Sequence, residues 1–190
     1  MMSDTKILHT LKVAASALVL CALAACSTVD RGRAPALQAN AEWTVLPFAN
    51  HTETPMAGNR AESVAEALLH ARGVGKVKRY TSTAQQEALF DAGDTKRQEQ
   101  ALAWAREQGV RYALAGTVDE WRYKVGVDGE PAVGLMLQVK DLSNDQVVYS
   151  AAGGRTGGSR EALAAVGQRL AAELVSGIRV DAASRPAAAR

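Results

Sequence analysis

The stretch from Val110 to Val139 constrains the fold more than any other part of the chain. Tyr112, Leu114 and Val118 stand at even positions, whereas Trp121, Tyr123, Val125 and Val127 stand at odd ones. Alternation of period two marks a strand with one buried face, because successive side chains point to opposite sides of the pleat. A strand changes its apolar parity only by taking in an extra residue. The switch therefore predicts a β-bulge or bend at Asp119-Glu120, which carries those carboxylates to a rim. Asp128-Gly129 is a turn signal, and Val133, Leu135, Leu137 and Val139 alternate cleanly after it, so the whole stretch predicts a long hairpin.

The flanking segments supply the rest of a sheet and its cover. Trp43 to Phe48 is a short apolar run suited to a buried strand, and Asn59 is placed to cap a helix with the stripe Ala61, Val64, Ala65, Leu68, closed by Gly73. Val77 to Tyr80 predicts a second strand. Thr83 and Thr95 can each open a helix, the latter with Gln98 as a capping box and Ala101, Leu102 and Ala105 as its apolar side. Ser143-Asn144-Asp145 turns the chain into a strand from Val147 to Ala152. Gly153 to Gly158 then reads as a loose connector, and Ser159 caps a last helix with the stripe Leu163, Val166, Leu170, Leu174. Strand and helix alternate first and a meander follows. The expected class is α/β (α+β), with a mixed sheet of four or five strands carrying a long hairpin and helices packed on it.

The N-terminus addresses the chain to a membrane. Lys6 and Lys12 precede an apolar run from Val13 to Ala25, too short and wrongly flanked for a spanning helix. The run ends in Leu23-Ala24-Ala25-Cys26, which resembles the lipobox of bacterial lipoproteins, with Cys26 as the lipidation site and first mature residue. Two or more acyl chains anchor stably where one binds only marginally. Ser27, in place of the Asp that signals inner-membrane retention in that class, implies the outer membrane on its periplasmic side, with its lipid as a partner. The expected organisation is a signal at 1–25, an acylated N-terminus and tether at 26–41, one domain at 42–180 and a disordered tail at 181–190. Cys21 leaves with the signal and lipid consumes Cys26, so the mature chain has no thiol for a disulfide. Its 165 residues after position 25 suffice for one core, and its charge falls from +2 to +1 as Lys6, Lys12 and Asp4 are lost, which argues against nucleic acid as a partner.

Chemistry-bearing patterns are sparse. His51 and His70 remain without cysteines or carboxylates at a metal-ligand spacing, so neither a metal site nor a cofactor is expected. There is no G-x-S-x-G elbow, and no catalytic residue is assigned. Gly73-Val74-Gly75-Lys76 lacks the Ser or Thr and the preceding strand of a phosphate loop. The glycine run around Arg155 before the last helix could cradle an anion, although a connector is the simpler reading. Trp121, beside the face switch, is the candidate for a membrane or partner interface, against burial in the hairpin's own core. Asp119, Glu120, Asp128, Glu130, Asp141 and Asp145 gather at strand ends and turns, where solvated carboxylates are ordinary. Repeated around a symmetric ring, they would sum into a field that attracts a cationic polymer.

The stretch Gly109-Val110-Arg111-Tyr112, then Gly116-Thr117-Val118 and EWRYKVGVDGEPAVG at Glu120 to Gly134, resembles the PelC family of outer-membrane lipoproteins of Pel exopolysaccharide export. The likeness continues through Leu137 to Leu142 and through Ser159-Arg160-Glu161-Ala162 into the last helix. It implies a non-enzymatic accessory that assembles as a ring, a dodecamer in the family, beside the PelB export barrel. The ring would guide the cationic Pel polymer by an acidic periplasmic face, for which the six acids above are the candidates. The family also places aromatic contacts on the membrane side of its ring. Here the segment before the last helix is Gly157-Gly158-Ser159, without an aromatic, which leaves Trp121 as the substitute.

The alternative is a monomeric tethered lipoprotein that regulates a periplasmic peptidoglycan synthase. Its tether from Ser27 to Ala41 would span at most roughly 50 Å, at about 3.3 to 3.6 Å per residue, which is short for reaching an inner-membrane enzyme.

Overall fold

The computed structural model describes residues 27–80, 93–126 and 129–181. The strands are β1 (Ser27–Arg31), β2 (Leu37–Gln38), β3 (Trp43–Val45), β4 (Ala49–Asn50), β5 (Val77–Arg79), β6 (Tyr112–Tyr123), β7 (Pro131–Asp141), β8 (Gln146–Thr156) and β9 (Val180–Asp181). The helices are α1 (Ala57–Ala71), α2 (Gly93–Glu107) and α3 (Leu163–Ser176). One seven-stranded sheet runs in the order β1-β8-β7-β6-β3-β5, with β4 also paired to β6, and β2 pairs with β9 apart from it. The fold is therefore the mixed α/β arrangement expected, with more strands than the four or five anticipated.

Topology decides where the helices lie. β3, β5 and β6 are mutually parallel neighbours, with β3 in the middle. The crossover through α1 passes from β3 out to β5, and the one through α2 returns over β3 to β6, so connections of one hand put the two helices on opposite faces. The cores agree. Ala61, Ala65 and Leu69 of α1 pack with Val166, Leu170 and Leu174 of α3 against Leu114, Val118, Leu135 and Leu137. Ala101 and Ala105 of α2 pack with Leu46, Val110 and Ala113 on the other side. Trp43 and Tyr112, on adjacent strands, bring their rings to 4.7 Å between centroids inside the main core.

The β6–β7 hairpin carries the expected irregularity. Its antiparallel register shifts between Val118 and Glu120, so Asp119 is the extra residue, and Val118 and Trp121 then face the same core. The apolar set pairs with itself across the sheet, Leu114 with Val139 and Gly116 with Leu137.

Four local expectations differ from the structure. Ser27 to Ala41 is not a free tether: β1 pairs along its length with β8, Ser27 opposite Arg155 and Arg31 opposite Ala151, and Leu37-Gln38 pairs with Val180-Asp181. Gly153 and Gly154 are strand residues, not a loose connector, because β8 runs on to Thr156 between β7 and β1. A Cβ on Gly153 would come within 2.9 Å of both the Thr28 carbonyl oxygen and the Val29 side chain, so the closeness of β1 requires glycine there. Helix starts also moved. α1 begins after Met56 in the left-handed region (φ 63°), α3 after Ala162 rather than Ser159, and neither cap residue makes a side-chain cap bond. Thr95 lies inside α2, and Gln98 donates from Nε2 to the Pro47 carbonyl instead of closing a capping box. Gly73 and Gly109 do take positive φ, 92° and 64°, each with one residue between it and the end of α1 or α2. The helix proposed from Thr83, the signal at 1–25 and the tail from 182 lie outside the described residues.

Candidate functional site

The strands of the hairpin sheet give the domain two ends. One carries the β6–β7 connection, the start of β1, the end of β8 and the start of α3. The other carries the β7–β8 turn, the start of β6 and the end of α2. The five acidic candidates among the described residues do not converge on either, since the bulge, the hairpin and the turn distribute them along the sheet.

Asp119 is lifted out by the bulge. Its carboxylate accepts from Thr117 Oγ1 at 3.1 and 3.2 Å and lies 3.0 Å from His51 Nδ1. His51 is held there because its backbone N–H donates to the Val118 carbonyl. Both His51 and Asp119 are more than half exposed, and the Thr117 hydroxyl points to the acid rather than to the imidazole, so the trio is a surface hydrogen-bonded cluster without the geometry of an activated nucleophile. Glu120 receives Arg122 Nε at 3.0 Å on the same strand face. Glu130 spends its backbone carbonyl on the Lys124 N–H, which extends the hairpin ladder past Tyr123. Asp128 lies outside the described residues, as does Cys26.

At the far end, Asp145 takes a left-handed turn conformation (φ 63°), and Arg106 and Lys140 approach its carboxylate at 2.7 and 3.0 Å. Hydrogen bonds from Lys140 and Arg106 hold that carboxyl below the usual aspartate range. Asp141 is different in kind. Only 5% of it is exposed, and it accepts from both the backbone N–H and the hydroxyl of Ser143, at 3.0 and 2.6 Å, with Arg111 at 3.3 Å. Burial pushes its pKa up, but the Ser143 and Arg111 interactions outweigh it and leave the carboxyl below its ordinary value. Asp141 is thus a turn-building residue and not an acid presented to a polymer, a correction to the sequence reading.

This predicts a pH signature. A depressed native pKa gives stability that is complete above the unfolded aspartate value of about 3.9 and is lost as pH falls through the lower native value. Asp141→Asn is expected to cost about 1.5–3 kcal/mol at neutral pH, the scale of hydrogen bonds to a charged group. Urea titrations at pH 7 and near pH 3 check it: the gap between wild type and variant should narrow at the acid end.

Trp121 is also corrected. It is 3% exposed within the main core, so it offers no interface. The indole occupies the space beside α3 where Gly167 lacks a side chain; a Cβ there would stand 2.4 Å from the ring. The sequence placed Tyr123 and Val125 on the same buried face, yet they are 51% and 101% exposed, because the strand outruns the helices after Trp121. Arg155 does not line an anion cradle: it lies in β8 and donates to Glu173 at 2.7 Å. Sequence reading missed the charge cluster of Glu62, Glu66, Arg79 and Arg97. Burial raises the Glu62 pKa against the opposing pull of the two arginines. No described helix is long and apolar enough to cross a membrane.

No family model matches the chain, and no curated relative matches it. Solved structures do. A PelC dodecamer from Paraburkholderia phytofirmans is 41% identical, covering 82% of this chain and 99% of its own, with a TM-score of 0.70. A methionine-substituted form of that dodecamer in another crystal lattice gives 40%, 82%, 100% and 0.70. A lipoprotein from Neisseria meningitidis shares the fold, at 18% identity over 73% of this chain and 97% of its own, with a TM-score of 0.55.

Proposed function

The chain belongs to the PelC family, and from that membership we propose that it is a non-enzymatic outer-membrane lipoprotein of Pel polysaccharide export. Acylated at Cys26, it sits on the periplasmic side, assembles with copies of itself into a ring and passes the cationic polymer toward the PelB barrel. The observation that carries the reading is the likeness to a dodecamer across 99% of that relative's length, at 41% identity. A ring is the step that makes the electrostatics useful. In one protomer Glu120 and Asp145 each face a cationic partner, and exposed pairs of this kind have little net effect. Closure would repeat Asp119, Glu120, Glu130 and Asp145 around an axis and focus their field in an aperture.

The monomeric regulator of a peptidoglycan synthase loses ground. β1 draws Ser27 to Arg31 into the sheet, so the reach such a regulator needs is not available from this segment.

Light scattering of the acylated protein in mild detergent, with the detergent contribution subtracted, tests the proposal. A single large oligomer is expected, and a monomer would remove the ring and its guiding field together. Reversing both bulge charges, Asp119→Lys with Glu120→Lys, should lower secreted polymer several-fold while abundance and membrane fractionation stay unchanged. Unaltered export from that variant would discard the electrostatic mechanism while leaving the ring intact.

A further inference from the structure

We propose that His51 is a proton-operated switch beside the β6 bulge, which leaves the Asp119 carboxylate available to a cationic polymer at neutral pH and neutralises it in acid. The inference rests on the polymer-guiding role proposed above and adds its regulation.

The acidic candidates differ in what faces them. Glu120 lies against Arg122, and Asp145 against Arg106 and Lys140, cations that keep their charge well above neutral pH. Asp141 is buried in its turn. Asp119 lies against an imidazole instead, and of the acid–base contacts among the described residues it alone pairs a carboxylate with a histidine. Imidazole is the side chain suited to change charge between about pH 5 and 8. The charge presented at Asp119 is therefore set by a neighbour that responds to pH, whereas Glu120 and Asp145 stay offset across that range.

Geometry decides where the second proton goes. An ionised carboxylate only accepts hydrogen bonds, so both groups that touch Asp119 must donate to it. Thr117 Oγ1 does so at 3.1 and 3.2 Å, and His51 Nδ1, 3.0 Å away, must carry a hydrogen. That leaves Nε2 with the free lone pair, in a side chain 60% exposed. Protonation at Nε2 breaks no contact and creates an imidazolium against the carboxylate that the ring already touches. The position of the ring does not depend on that proton, because the loop is built by other bonds. The His51 N–H donates to the Val118 carbonyl at 2.9 Å, Asn50 Oδ1 accepts the Thr52 N–H and hydroxyl at 3.2 and 2.7 Å, and Asn50 Nδ2 donates to the Thr54 carbonyl at 2.9 Å. Thr54 in turn donates its hydroxyl to the Trp121 carbonyl. Acid thus changes the charge at this corner and not its shape. Repeated in a closed ring, the change would occur at every subunit and weaken the focused field as a whole.

Other charged groups stand on the elements around the corner: Glu53 in the loop itself, Glu120 and Arg122 on β6, Arg60 and Glu62 on α1, and Arg97 on α2. Glu120 and Arg122 offset each other, and Arg97 acts on Glu62. Burial raises the Glu62 pKa, so its response to acid has to be separated from that of His51 by substitution.

Fluorescent polylysine, added at low salt to the acylated protein in mild detergent and followed by anisotropy at about pH 7.5 and about pH 5.5, tests the switch across the imidazole range. Lysine ammonium groups, with a pKa of about 10.4, are charged at both values, so the probe does not titrate as an amino sugar would. Affinity is expected to fall about five-fold at the lower pH, the effect of about one unit charge at contact distance in water, and added salt should shrink the difference. His51→Gln, neutral throughout, should keep the tighter affinity at both values, and His51→Arg, charged throughout, the weaker one. His70→Gln should respond as wild type does. A fall that persists in His51→Gln overturns the switch, and so does equal binding by wild type at the two values. Absence of polylysine binding at either pH defeats the acidic guide on which the inference rests, and that failure is told apart from the others by the wild type alone.

Discussion

Replacing Trp121 with alanine should lower the unfolding free energy of the mature chain by about 3–5 kcal/mol, the range for truncating a buried tryptophan. The indole is 3% exposed and fills the gap opposite Gly167, where α3 comes closest to β6. The backbone on both sides is fixed by strand pairing and by the α3 core contacts, so the site has little room to collapse. In a chain of this size the loss corresponds to a fall in melting temperature on the order of 10 °C. Thermal and urea unfolding measure it, and a change below about 1 kcal/mol would show that the packing is looser than described. Any export defect of this variant is then a folding defect, which separates Trp121 from the surface residues that a transport assay is meant to probe.

The second large effect is on location. Cys26→Ala is expected to abolish membrane fractionation and to release a folded domain into the soluble periplasm. Interfacial contact by a few side chains is weak and reversible, whereas the multiple acyl chains of a lipoprotein hold stably at roughly 0.8 kcal/mol per buried methylene. Fractionation of envelopes with blotting reads the result directly, and retention of the variant in the outer membrane would sink the anchor. Circular dichroism of the released protein should match wild type, since the sheet begins at Ser27 and does not need the lipid.

What could be read from the residues follows from which signals are local. The bulge at Asp119 was legible because a parity change from Val118 to Trp121 has only one structural solution in a strand with a buried face. The core stripes of α1 and α3 were legible for the same reason of periodicity. β1 was not. Ser27 to Arg31 has one apolar residue, Val29, and its pairing is dictated by the glycines of β8, which look like a connector until a neighbouring strand claims the space over them. Capping residues misled because Ser159 and Thr95 are competent caps whose helices are positioned instead by tertiary contacts, Tyr123 at the start of α3 and Pro47 beside α2. Of the candidate site, composition pointed to the acids but carried no information on direction. Asp141 turned inward to organise the Ser143 turn, and Asp119 turned outward because the bulge left it unpaired.

The antiparallel pairing of β1 with β8 has a mechanical consequence. If Cys26 carries the proposed anchor, a force between bilayer and domain enters at Ser27 along the axis of the strand, so it loads all five β1–β8 residue pairs in shear at once instead of peeling them singly. A protomer so fastened would resist being dragged from its place by a polymer in transit, under the proposed function, and would have little freedom to swivel about its attachment. Twelve such fastenings, if this chain closes as its relative does, would give the aperture a fixed height and tilt under load.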